Sequence, residues 1–165
     1  MLNIKIQKIA LPAFNLTVVQ EHITIEGLHR GEITEFYLNQ NTNNAVIMFR
    51  FRDILINSSS TFKLHRQGLE DIILETATME QYDSFSISVV ITGLTKKDFH
   101  KFDAHAYFDN LPTYQLQNQE TVSDLQVQTT LAQMNLQLGV AVSDAFGYRT
   151  PVIARYFASI LCSKN

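Results

Sequence analysis

Period-two alternation constrains this chain more than any other feature. In DSFSISVVITG, residues 83–93, Phe85, Ile87 and Val89 alternate with Ser84, Ser86 and Ser88. Successive strand side chains point to opposite faces, so such a run buries one face and wets the other. AVIMFRFRDILIN, residues 45–57, repeats the pattern: Ile47, Phe49 and Phe51 oppose Met48, Arg50 and Arg52. An arginine pair on one strand face is the polar-out signature of a half-exposed antiparallel sheet. The opening NIKIQKI alternates as well. Although Lys5 and Lys8 precede an apolar stretch, Pro12 and Asn15 interrupt it, so this segment reads as a strand rather than a leader peptide.

Turn chemistry separates the runs. GLHRG at 27–31, the Asn-rich segment 39–44, Ser58–Ser60 and Asn110–Pro112 all carry residues that favour turns. Two segments read as helical. Leu69, Ile72, Ile73 and Thr76 share a helical face opposite Glu70, Glu75 and Glu80, which predicts a helix over 69–82. Thr95 followed by Asp98 predicts a short capped turn. With no βαβ rhythm and no internal repeat, the expectation is a single β-rich domain over 1–165. It is an antiparallel β-sandwich or jelly roll, with a barrel as the alternative, carrying one or two short helices.

The stretch LQVQTTLAQMNLQLGVAVS, Leu125 to Ser143, has no charged residue. Val127, Leu131, Met134 and Leu138 recur at heptad-like spacing, and Ser123 with Gln126 offers a capping box. A helix, however, also sets Val122, Leu125, Leu136 and Val140 on its far side and would need burial all round. Two strands with one phase slip near Ala132–Gln133 waste fewer apolar residues, and Gly139 disfavours a helix interior. The strand reading makes Leu136 and Leu138 core and turns Gln126, Gln128, Gln133, Asn135 and Gln137 outward. YRTPVIARYFASILCS, 148–163, is apolar on both faces and fits a covered strand or a short docked helix.

Charge is uneven. Residues 111–165 carry six charges, namely Glu120, Asp124, Asp144, Arg149, Arg155 and Lys164, out of 29 in the chain. Interface cores are depleted in Lys, Glu and Asp, and an amide face meets a neighbour without desolvating an ion. This predicts that the amide face associates with other protein subunits. The leading functional expectation is therefore a non-enzymatic structural subunit of a larger assembly, virion-like or similar, cytoplasmic or virion-associated. Two alternatives stay open: a β-barrel module binding an apolar small ligand, and a small cupin-like metalloenzyme.

Chemistry-bearing motifs are sparse. His100, Asp103 and His105, spaced H-x-x-D-x-H, are the candidate metal ligands; Asp103 and His105 would share a strand face while His100 reaches back from the preceding turn. No G-x-S-x-G motif and no glycine-rich phosphate loop occur, and no cofactor is expected. The single cysteine, Cys162, sits in an apolar run and cannot form an internal disulfide. A net charge of -3 and the lack of a basic cluster give no electrostatic basis for nucleic-acid binding. No apolar run is long enough for a transmembrane helix.

Overall fold

A computed structural model describes residues 1–93, 102–117 and 124–163. Among these residues seven strands form one antiparallel sheet. They are β1 (Leu2–Leu11), β2 (Leu16–Glu26), β3 (Glu32–Asn39), β4 (Asn44–Leu64), β5 (Ile72–Thr92), β6 (Phe102–Phe108) and β7 (Thr113–Leu116). Two helices follow, α1 (Leu125–Leu136) and α2 (Leu138–Ser163).

The long strands β4 and β5 are the spine. Each has 21 residues and they pair from end to end without a register break, Asn44 opposite Thr92 and Leu64 opposite Ile72. At about 3.3 Å per residue each is about 70 Å long if straight, against ~39 Å for α2 at 1.5 Å per residue. Shorter strands lie end to end along the spine. β3 pairs the first part of β4 and β2 the second; β6 and β7 divide β5 in the same way. The main path is β1-β2-β4-β5-β6, and α2 packs on both of its ends, β1 and β6. One helix can touch both ends only if the sheet curls around it. Near the middle of β4, Asp53 adopts a left-handed φ of 50°. Its carbonyl lies so close to Gly27, itself at φ 90°, that a Cβ there would sit 2.7 Å from it, so this crossing requires glycine.

The mainly β expectation holds, but the sandwich or jelly roll does not. Among the described residues no second sheet packs on the first; α2 takes the place that a second sheet would occupy. The expected helix over 69–82 is instead the first half of β5. Its apparent helical face is outweighed by pairing with β4, in which Ile72, Leu74 and Thr78 alternate inward. Ser58–Ser60 is no turn but the interior of β4, with Ser58 and Ser60 buried. The turns at 27–31 and 39–44 do fall between strands. The expected turn at Thr95–Asp98 lies outside the described residues.

The strand reading of Leu125–Ser143 is also overturned. Asp124 caps α1, its side chain accepting from the backbone N–H groups of Gln126 and Val127. The heptad-like set does not stop at Leu138. It continues through Ala141, Val142, Ala145, Phe146, Arg149, Thr150, Ile153, Ala154 and Phe157, in steps of three and four, and every one of these nine is buried. Leu136, expected in the core, is 87% exposed, as Leu125 and Val140 are exposed. The far side of the helix is simply left to solvent. Pro151 stands inside α2, and Thr150 donates its hydroxyl to the carbonyl of Phe146 one turn back.

Candidate ligand site

The interior divides into two apolar compartments. The first joins β2, β4, β5 and β6 to the distal part of α2 and is rich in aromatics. Phe51, Phe85, Phe108, Phe146, Phe157 and Tyr82 stack there with ring centroids 4.7–6.0 Å apart, mostly edge to face. The second is largely aliphatic. Ile9, Leu11, Leu16, Val18, Phe62 and Leu64 line its sheet wall, and Val127, Met134, Ala141 and Ala145 cover it from α1 and α2.

A polar belt separates them. Arg149 on α2 is 1% exposed. Its Nη1 donates to Glu80 Oε2 and its Nη2 to Glu80 Oε1, both at 2.7 Å. Nη2 also donates to Gln20 Oε1 at 2.7 Å, and Nε to Gln7 Oε1 at 3.4 Å. Tyr82 donates its hydroxyl to Glu80 Oε2 at 2.7 Å. Gln20 Nε2 then donates to Ser58 Oγ and Ser60 Oγ, and both serine hydroxyls lie within 2.9 Å of Thr78 Oγ1. The belt thus runs across β1, β2, β4 and β5 to the helix. Register explains its alignment: Gln7 pairs with Gln20, Gln20 with Ser60, and Ser58 with Thr78.

Electrostatics follow from this geometry. Burial alone would raise the Glu80 carboxyl, but the charge of Arg149 and hydrogen bonds from Arg149, Tyr82 and Gln20 outweigh it and hold the pKa below the ordinary value of 4.5. Burial works against the charge on Arg149, while Glu80 more than restores it and raises the guanidinium pKa. Burial, then the negative charge of Glu80, pushes the Tyr82 and Tyr114 phenols upward, so both are neutral at physiological pH.

On the aliphatic side of the belt lies a hollow of about 40 Å³. Gln20, Glu80, Tyr114 and Arg149 form its polar wall; Leu11, Val18, Phe62, Met134 and Leu138 are among its apolar neighbours. A separate, smaller void of about 10 Å³ lies under α1, between Phe62, Leu64, Ile72 and Val127. A separate groove of about 200 Å³ runs between β6 and α2, where Ala104, Ala106, Ser143 and Gly147 are too small to fill it.

The candidate metal ligands are not assembled into a centre. Asp103 and His105 share the exposed face of β6, and His105 borders the groove. His100 lies outside the described residues. Among the described residues no three His, Cys, Asp or Glu side chains converge. Cys162 falls in the last turn of α2.

The amide residues Gln126, Gln128, Gln133, Asn135 and Gln137 are all exposed, but α1 divides them. At 100° per residue Gln126 and Gln133 fall on one side of α1 and Gln128 and Asn135 on the opposite one, while Gln137 is the residue at its C-terminal cap. The single face that motivated an assembly surface does not exist. Sequence reasoning passed over Arg149, Glu80, Gln20 and Tyr82. The legible signal was an arginine inside an otherwise apolar helical stripe, which needs a buried partner.

No protein-family model and no curated protein sequence matches the chain. Among solved structures, the fold is similar to the crystal structure of Epiphyas postvittana Takeout 1, with a TM-score of 0.65 and 17% sequence identity, over 95% of this chain and 74% of that one. This likeness concerns the fold. Together with the loss of the amide face, it overturns the expectation of a virion-like assembly subunit: the sheet curls around its own helices rather than presenting a flat face for stacking.

Proposed function

We propose that the protein binds an apolar small molecule between its curled sheet and its helices, with α1 as a displaceable cover. The carrying observation is the hollow beside the Arg149–Glu80 belt, which is apolar on the sheet and helix sides and polar at one end. At about 40 Å³ it accommodates only a small group, so a ligand tail has to enter by moving α1.

That movement is affordable. Of the twelve residues in α1, Val127 and Met134 alone are fully buried. Exposing two such side chains costs roughly 3–6 kcal/mol, and a tail offsets that with about four to eight methylenes at ~0.8 kcal/mol each. The groove between β6 and α2 is a poorer host, because Ser143, Thr150 and His105 mix into its lining. The fold likeness to Takeout 1 supports a common architecture, and the ligand reading rests on the hollow itself.

The test is a fluorescence titration with a phenylnaphthylamine probe. Wild type should bind one equivalent with saturable enhancement. Ala141→Phe, which fills the hollow from α2, should abolish the enhancement while retaining the wild-type circular dichroism spectrum. Absence of saturable binding by wild type, or undiminished binding by a folded Ala141→Phe variant, would refute the proposal.

A further inference from the structure

The charges at the polar end of the hollow are already closed on each other, and this restricts the ligand. We propose that the ligand is a neutral amphiphile: an apolar chain ending in an uncharged hydrogen-bond acceptor such as an ester, ketone or alcohol. The inference rests on the ligand-binding reading above and adds the chemistry of the head group.

The belt beside the hollow contains one cation and one anion, Arg149 and Glu80, joined by two hydrogen bonds of 2.7 Å. Both Glu80 oxygens accept from Arg149, and Oε2 also accepts from Tyr82. A carboxylate or phosphate head would bring a second negative charge beside a guanidinium whose charge is already neutralised. An ammonium head would likewise find Glu80 occupied. A buried ion without its own counter-charge is expensive, because it surrenders hydration and receives no ion pair in return.

A neutral acceptor meets no such penalty. Arg149 has five N–H donors, and among the described residues four are committed: Nε to Gln7, one on Nη1 to Glu80, and two on Nη2 to Glu80 and Gln20. One Nη1 donor remains. The Tyr114 phenol, kept protonated by burial and by Glu80 and hydrogen-bonded with Thr78, lies on the same wall. A guanidinium and a phenol on the wall of a space of about 40 Å³ suit a head group of a few atoms, with the chain running toward α1.

The experiment displaces the phenylnaphthylamine probe from wild-type protein with methyl dodecanoate, dodecanol and dodecanoate, each below its aggregation threshold. It is run at about pH 8, where the acid is fully ionised. The ester and the alcohol should displace the probe, and dodecanoate should be weaker by at least about tenfold, since its charge goes unpaired. Dodecanoate competing equally or better would overturn the neutral-head inference while leaving apolar binding intact. Probe binding that neither the ester nor the alcohol displaces would also overturn it. Failure of the probe itself to bind would remove both readings.

Glu80→Gln supplies the second arm. It removes the counter-charge and leaves Arg149 available to an anion, so the preference for ester over carboxylate should shrink or reverse. A folded Glu80→Gln protein that discriminates as wild type does would overturn the inference. If that variant does not fold, the wild-type ligand comparison decides alone.

Discussion

The two apolar compartments are built from the same sheet and the same helix, yet they are packed differently. The aromatic one is filled by rings meeting edge to face, with Phe157 and Phe51 5.1 Å apart and Phe108 and Phe146 4.7 Å apart, and the last two also border the open groove between β6 and α2. Even the backbone is fitted there: a Cβ on Gly31 would lie 2.6 Å from the Phe51 ring and 2.8 Å from that of Phe157. The aliphatic one has no such ring lattice, retains a hollow, and is roofed by a helix anchored through two fully buried side chains. Density and vacancy therefore coexist within a short chain. The aromatic half secures the curl of the sheet, which lets the other half remain loose enough to admit a guest. The Arg149–Glu80 belt keeps them distinct.

Removing one partner of that belt should destabilise the protein most severely. Glu80→Ala leaves a buried guanidinium unpaired and should cost about 3–5 kcal/mol in denaturant unfolding. The joint replacement Glu80→Leu with Arg149→Met should recover most of that loss, because neither charge then remains to be compensated. The same pair sets the response to acid. A carboxyl whose folded pKa lies below its unfolded one stabilises fully above the unfolded value, here about 4.5, and loses that contribution as pH falls through the folded pKa. Stability from this source should be flat above pH 4.5 and decline below it, and the decline should diminish in the joint variant when melting temperature is followed against pH.

Truncation compares the compartments directly. Phe51→Ala in the aromatic half should cost about 3–5 kcal/mol, whereas Leu11→Ala, beside the existing hollow, should fall near the low end of the 2–5 kcal/mol range for such changes. Equal losses would contradict the difference in packing.

Enlargement should show a smaller effect of the opposite kind. Ala154→Val adds carbon to the closed compartment and should destabilise by about 1–3 kcal/mol through overpacking. Ala141→Val adds it beside the hollow and should stay within about 1 kcal/mol of wild type in thermal melts, a small gain in packing offset by β-branching in a helix.

The smallest effect belongs to the solvent side of α1. Leu136→Asp should change unfolding free energy by no more than about 0.5 kcal/mol, since Leu136 is 87% exposed. A loss of several kcal/mol would restore a buried strand at this position and remove the cover from the proposed site.

The mainly β character and most of the strands were legible in the residues alone. Alternation in 83–93 and 45–57 is a local property: Phe85 and Phe51 had to share an inward face however the sheet was finished. Turn chemistry at 27–31 and 39–44 was equally local. The tertiary structure decided the remainder, because there two local readings competed and distant partners selected between them. Residues 69–82 carry a helical spacing, but a continuous ladder with β4 makes the strand the better use of their backbone groups. Residues 125–143 alternate well enough for strands, yet the curled sheet offers a concave wall that one helical stripe, from Val127 to Phe157, fills in register. The belt was least legible of all. Arg149 stands out in its apolar stripe, but its partners Gln7, Gln20, Ser58, Thr78 and Glu80 are unremarkable polar residues, and the six are spread over more than 140 positions. Only strand register and helix docking bring them together, and a buried ion pair has physical meaning only once both partners share the same dry interior.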